Sequence, residues 1–175
     1  IENLNSNVRQ KSIDDINSEY VEGLYKTNAT PMEYVKISEG CNNFCSYCII
    51  PALRGKNRSR SIENILDEVK YLVAQGTKEI VLIAQNTTDY GIDLYGEYSL
   101  PKLLKELEMI ENLKWVRLLY LYPDNFTDEL IEVFKNSKKI LKYADIPLQH
   151  VNDGVLKGMN RRTSKADIEH LISKL

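Results

Sequence analysis

Glycine and proline are scarce, with 8 and 5 copies among 175 residues. That excludes collagen-like chains and makes long flexible linkers implausible. No apolar run approaches the roughly 18–20 residues that a bilayer-spanning helix needs. The longest surrounds Ile80 and is about half a dozen residues long, so no membrane partner is expected. Neither sign of charge dominates: 23 Lys+Arg stand against 25 Asp+Glu, a net charge of -2. A strongly basic wrapper of nucleic acid is thereby excluded, though a local basic patch is not. Cysteine is limited to three residues, Cys41, Cys45 and Cys48. An odd, tightly clustered set is a poor disulfide framework and a good metal-site candidate in a reducing compartment, which places the chain in the cytoplasm. The first residue is Ile1, and no secretory leader pattern follows, so the chain reads as a piece of something longer.

What is present is a globular composition, 43% hydrophobic and 27% charged, enough for one ordinary domain. Residues 1–33 are polar without a sustained period and read as a linker from an upstream domain or as a peripheral helix; residues 34–175 read as the core domain. Tyr34–Ser38 alternates with period two, as a strand does. Ser61 can cap a helix carrying Ile62, Ile65, Leu66, Val69, Leu72 and Val73 on one face, with Gly76 as its stop. Glu79–Ala84 is a near-continuous apolar run, the pattern of a strand covered on both faces. Ser99 and Pro101 open a second helix, Trp115–Leu121 reads as a third strand, and Thr127 opens a third helix. Tyr143–Leu148 reads as a fourth strand, followed by a helix from Ser164 with Ile168, Leu171, Ile172 and Leu175 as its apolar face. Strand and helix thus alternate about four times, which predicts an α/β fold with parallel strands and right-handed crossovers. Four units cannot close an eight-stranded barrel, so the sheet is either open or the first part of a larger barrel.

The thiols are spaced C-x3-C-x2-C directly after the first strand. Structural zinc normally takes four protein ligands in two separated pairs, and a ferredoxin run is spaced C-x2-C-x2-C with a further cysteine. Neither fits. Three thiolates can hold three irons of a 4Fe–4S cluster and leave the fourth open for a reactant, as catalytic zinc leaves one position open. Three buried free thiols or a three-ligand zinc site are the plainer alternatives.

With Tyr47 just before the last cysteine, this segment resembles the motif of the radical S-adenosylmethionine (SAM) superfamily. Glu39–Asn42, Ile49–Pro51, Arg54–Gly55, Arg58–Arg60 and Leu156–Arg161 are similar to its methylthiotransferase branch. Ala84–Tyr95 and Tyr143–His150 resemble the members of that branch that act on ribosomal protein. The resemblance implies a partial (βα)6 barrel of the TIM-like radical SAM kind, here truncated after about four βα units. It implies a 4Fe–4S cluster on Cys41, Cys45 and Cys48, with SAM chelating the open iron. One electron would cleave SAM to methionine and a 5′-deoxyadenosyl radical. It further implies methylthiolation of the β-carbon of an aspartate in a small-subunit ribosomal protein. The alternatives are a tRNA methylthiotransferase acting on a modified adenosine beside the anticodon, and a non-catalytic docking fragment. The branch also has an upstream domain whose three further cysteines hold a second cluster, and a C-terminal RNA- or protein-binding barrel. Expected partners are the ribosome or its protein, RNA, and a reducing protein such as flavodoxin or ferredoxin.

Other residues carry weaker signals. Tyr47, Gln85, Arg117, Gln149 and His150 are candidates for cofactor contact. Gln85 lies at the end of the second strand and Gln149–His150 at the end of the fourth, where barrel loops build sites. Gln85 can equally cap its loop, and His150 can be a structural hydrogen-bonding residue. Lys36, Arg117 and Asp145 are single charges in apolar strands; they either line a polar lumen or reach solvent at strand ends. Arg54, Lys56, Arg58 and Arg60 form a basic patch, a steering surface or a solvated loop. Tyr90–Tyr98, with Asp89 and Asp93, reads as a lid or as plain turns. Tyr122 is expected at the same mouth as the cysteines.

Overall fold

The alternating segment from Met32 forms strand β1 (Met32–Lys36), two residues earlier than its pattern suggests, and Ile37 extends the ladder through its N–H to the Ile83 carbonyl at 2.9 Å. The computed structural model describes residues 28–175. The linker expected over residues 1–33 therefore falls, for residues 1–27, outside the described residues. A short antiparallel pair follows, β2 (Ser38–Glu39) with β3 (Arg58–Ser59), and encloses the cysteines and helix α1 (Ile50–Arg54). Helix α2 (Ile62–Ala74) starts where the Ser61 hydroxyl accepts the Asn64 N–H at 3.2 Å, satisfying one of the helix's unpaired donors. It ends at Gln75, and Gly76 turns the chain at φ 109°.

Strand β4 (Glu79–Ile83) lies parallel between β1 and β5 (Trp115–Leu118), giving the order β1-β4-β5. The crossovers are α2 and, between β4 and β5, α3 (Ile92–Tyr95) and α4 (Leu100–Glu108). Helix α5 (Asp128–Asn136) follows β5, with the Thr127 hydroxyl accepting the Leu130 N–H at 3.2 Å. Helices α6 (Asp153–Gly158) and α7 (Lys165–Lys174) complete the chain, α7 opened by a reciprocal cap between Ser164 and Asp167.

The core forms on one face of the sheet. Val35, Ile37, Ile80, Leu82, Val116 and Leu118 meet Ile65, Val69 and Leu72 of α2 and Leu103, Leu104 and Leu107 of α4, all buried. Each such side chain contributes about 1.5–3 kcal/mol through lost apolar surface. Tyr34, Lys36, Arg117 and Trp115 belong to the other face and are half-buried or exposed. Lys36 and Arg117 therefore stand on the side away from the helices, while Asp145 lies in no strand.

Two expectations are corrected. Tyr143–Leu148 is not a fourth strand. Parallel pairing beyond β5 is a single bridge between Val116 and Ile140. Tyr120 at φ 60° kinks the chain after Leu118, which also ends β5 three residues earlier than the expected Leu121. Past the kink the two segments share only isolated bonds, the Leu121 N–H to the Asp145 carbonyl and the Tyr120 N–H to the Asp145 carboxylate, both at 2.9 Å, and N–H bonds from Leu148 to Ile146 and from His150 to Leu148 curl the segment into tight turns. In α7, Ile168 and Leu171 are buried, whereas Ile172, four residues on from Ile168 and so beside it, and Leu175 just after the helix are exposed, so the core covers only part of the expected face.

Candidate functional site

The cysteine loop is held at its base by glycine geometry and an amide. Gly40 adopts φ 82°, and a Cβ there would stand 2.1 Å from the Lys56 carbonyl oxygen. This close approach lets the Cys41 N–H reach the Gly55 carbonyl at 3.1 Å and the Asn57 N–H reach Asn42 Oδ1 at 3.1 Å. From the end of β4, Gln85 Oε1 accepts the Gly40 N–H at 2.8 Å, while its Nε2 donates to Glu39 Oε1 at 3.3 Å. Burial works to raise the Glu39 pKa, but the Lys36 ammonium at 2.5 Å, with Arg54 and Arg58, holds it below the ordinary range.

The far side of the loop is tied to the segment after α6. Ser46 N–H and hydroxyl donate to the Met159 and Gly158 carbonyls at 3.1 and 3.0 Å, and Asn160 Nδ2 donates to the Phe44 carbonyl at 2.6 Å. Next to these ties, the Arg161 guanidinium lies 3.8 Å from the centroid of the Tyr122 ring and donates to the Pro147 carbonyl at 2.6 Å. The Tyr122 hydroxyl is 3.9 Å from Cys45 Sγ.

All three cysteines are free thiols, Cys41 and Cys45 buried and Cys48 exposed. Burial pushes the Cys41 thiol up; an N–H from Asn43 partly offsets this, and the nearby Asp89, Cys45 and Cys48 add to the rise. To bind metal the three thiols must lose their protons, and the negative charge this gathers asks for a positive centre among them. Among the described residues no three His, Cys, Asp or Glu side chains converge on a point that would hold one metal ion. A cluster asks for less convergence, because each thiolate binds a different iron. The donor set and its electrostatics therefore fit a 4Fe–4S cluster better than a single zinc.

The other expected residues divide. Gln85 and Tyr122 join the cysteine loop, Gln85 by fixing its backbone. Tyr47 is half exposed; burial, then the adjacent Cys45, raises its phenol pKa while Arg161 lowers it, so it stands in the same cluster. Gln149 and His150 are exposed, Gln149 at φ 70°, and His150 Nδ1 accepts the Asn152 N–H at 2.9 Å within its own loop. Arg117 pairs with Glu79 at 2.8 Å and lies 5.2 Å from the Tyr143 ring centroid. Glu79 opens β4, so this guanidinium is drawn toward the strand end opposite Gln85. Asp145 accepts the Tyr120 N–H at 2.9 Å.

The basic patch is mostly committed internally: Arg60 is buried and bonded to Glu68 at 2.6 Å and to the Lys36 carbonyl at 2.8 Å, and Arg58 donates to the Arg54 carbonyl at 3.0 Å. The Tyr90–Tyr98 loop is a clamp. Tyr90 is fully buried with its hydroxyl on the Arg60 carbonyl at 2.8 Å, and Asp93 accepts from Asn57 Nδ2 and the Ser59 N–H at 2.9 and 2.8 Å. Reasoning from sequence named Asp89 only with the lid or turn reading of its loop, and did not single out Asn160 or Arg161 as parts of the site. The only signal for the last two was their place in the Leu156–Arg161 stretch.

The Radical SAM superfamily matches residues 35–175. Among curated proteins, the chain is 58% identical over 156 residues to the ribosomal protein uS12 methylthiotransferase RimO of Caldanaerobacter subterraneus subsp. tengcongensis, covering 88% of this chain and 36% of that one. It is 58% identical over 142 residues to the protein of the same name from Clostridium botulinum (strain Eklund 17B / Type B), covering 81% and 32%. The chain thus spans about a third of the length of these relatives. Among solved structures, the radical S-adenosylmethionine methyltransferase TsrM of Kitasatospora setae, with a tryptophan substrate and a SAM analogue bound, superposes with a TM-score of 0.65 at 17% identity. The match covers 82% of this chain and 28% of that one. A second TsrM structure, with cobalamin and a [4Fe-4S] cluster bound, gives the same TM-score at 18% identity.

Proposed function

Because the chain belongs to the Radical SAM superfamily, we propose that it is the cluster- and SAM-binding portion of a methylthiotransferase that modifies an aspartate β-carbon in ribosomal protein uS12. The observation that carries this reading is the 58% identity to RimO proteins over 88% of the chain. Cys41, Cys45 and Cys48 would each hold one iron and leave a fourth open to SAM. When bound, the cluster supplies the electron that cleaves SAM reductively to a 5′-deoxyadenosyl radical.

The chain's own residues do the positioning. Gly40 and Gln85 set the entry of the loop, Gly158–Asn160 hold its far side, and Tyr122 and Arg161 cover the Cys45 side. Tyr47 and Lys36, which pairs with Glu39 beside the loop, are candidates for contact with SAM; the exposed Gln149 and His150 are candidates for contact with SAM or the substrate. Sulfur must come from a second source, since all three cysteines are committed to the first cluster; a second cluster in an upstream domain fits that need. The electron would come from a reducing protein of the flavodoxin or ferredoxin kind, and the place of action is the cytoplasm, beside ribosomes. Among the described residues no helix is long and apolar enough to cross a membrane.

The test is mass spectrometry of uS12 and of tRNA from a strain lacking the gene. Loss of the methylthio group from uS12 is expected. Loss from tRNA instead would overturn the substrate assignment, and loss from neither would favour a docking role.

A further inference from the structure

The proposed chemistry uses Arg161 only to cover the Cys45 side and makes no use of its charge. Arg161 is more than nine-tenths buried, and its Nε has no hydrogen-bond partner among the described residues. Burying a guanidinium is costly unless its charge is used. Its contacts are the face of the Tyr122 ring at 3.8 Å, the Pro147 carbonyl at 2.6 Å and the Tyr47 phenol, and the Asp124 carboxylate is the acid that feels its charge. The Tyr122 ring continues the line, since its hydroxyl reaches Cys45 Sγ at 3.9 Å. Either atom can donate while Cys45 is a thiol. Once the sulfur has given up its proton to bind iron, only the phenol can donate. A cation on the face of that phenol draws electron density from the ring and makes the O–H a stronger donor.

Resting on the cluster assignment above, we propose that Arg161, acting through the Tyr122 ring and hydroxyl on the Cys45 sulfur, raises the reduction potential of the cluster held by Cys41, Cys45 and Cys48. Hydrogen bonds to ligand sulfurs and nearby charge are two of the levers that set such potentials. The step tuned is the gain of one electron by the oxidised cluster from an external reductant, with no proton taken up. The added negative charge favours the neighbouring donor and cation, so the reduced form gains more than the oxidised one. Arg161 is in this sense a positioning and tuning residue and need not touch SAM.

The experiment is a redox titration of the anaerobically reconstituted chain with dithionite, following the reduced cluster by electron paramagnetic resonance. Arg161→Met, Arg161→Lys, Tyr122→Phe and the Arg161→Met/Tyr122→Phe double variant are compared with the parent. Iron content is measured on every sample. It tests the cluster assignment separately: a parent chain that binds no cluster sinks that assignment, whereas the potential tests only the relay.

At a fixed potential, Tyr122→Phe and Arg161→Met are each expected to lower the reduced-to-oxidised ratio several-fold, toward tenfold, equivalent to about 59 mV for one electron. Arg161→Lys should lie between Arg161→Met and the parent. The double variant should shift by less than the sum of the singles, because both act along one path. An unchanged potential in Tyr122→Phe with its cluster intact overturns the proposal, and so does strict additivity in the double variant. Should Arg161→Met fail to hold iron, Tyr122→Phe, which keeps the ring and its packing, decides alone.

Discussion

Gln85 Oε1 accepts the N–H of Gly40 at 2.8 Å, so the end of the central strand fixes the residue immediately ahead of the first cysteine. Replacing Gln85 with Leu strands a buried donor, at a cost of about 1–3 kcal/mol. Gln85→Leu should therefore lower the urea midpoint and the iron retained after anaerobic reconstitution. Gln85→Glu keeps an acceptor but sets a carboxylate against Glu39, and should fall between Leu and the parent. Equal iron content in Gln85→Leu and the parent would show that the loop does not depend on this bond.

Gly40→Ala should be more severe. The new methyl would meet the carbonyl oxygens of Lys56 and Gly55 at 2.1 and 2.7 Å, and backbone cannot swing aside as a flexible side chain does. With the positive φ added, the expected loss is about 3 kcal/mol, seen in chemical denaturation together with loss of most bound iron. Gly96→Ala is the control. It has φ 75° but open space around the new methyl, so only the conformational cost of about 1–2 kcal/mol applies.

Arg54 and Arg60, neighbours in a patch that suggests partner binding, should separate in a stability assay. Arg60→Met leaves Glu68 buried without its guanidinium, which costs about 3–5 kcal/mol. The Arg54 side chain is 60% exposed and 3.8 Å from Glu39, so Arg54→Ala should change stability by less than about 0.5 kcal/mol. A Arg60→Met protein with parental thermal stability would return the whole patch to a surface role.

Asp89 gives a pH prediction. Burial raises its pKa, Asn125 and Asn86 pull it back only in part, and the net shift is upward. Between the unfolded value of about 3.9 and the raised folded value, the folded state binds more protons than the unfolded one. This group's contribution to stability is therefore most favourable at low pH and declines as pH rises through that window. Asp89→Asn should be more stable than the parent at pH 7, and the gap should close as the pH approaches 4. Urea midpoints at several pH values measure it; a gap that widens toward acid would reverse the assignment.

The parts of this molecule legible in its sequence are those governed by short-range pattern. Ser61 and Thr127 cap the helices their side chains suggest, the apolar run around Ile80 is the central strand, and the cysteine spacing marks the loop proposed as the site. Illegible parts depend on contacts far apart in the chain. Tyr143–Leu148 has the composition of a strand, but the Tyr120 kink leaves it isolated bonds to Tyr120 and Leu121 in place of a ladder. Arg60 looks like a surface charge until Glu68 and the Lys36 carbonyl are brought to it. Arg161 looks like one basic residue in a polar stretch, and only the folded chain lays it on Tyr122.

The ties of Ser46 and Phe44 to Gly158, Met159 and Asn160 also have a bearing on timing. After Ser46 leaves the ribosome, 112 further residues must follow before Gly158 can meet it. At ordinary synthesis rates that takes about 6–20 seconds. Until then the loop has at most the ties at its base, to Gly55, Asn57 and Gln85, which are themselves made after Ser46. On the cluster assignment proposed above, stable iron retention is expected only once Gly158–Asn160 have been made. Ribosome-bound chains stalled before Gly158 should retain far less iron than chains stalled after Arg161, and equal retention would mean that the base of the loop is enough.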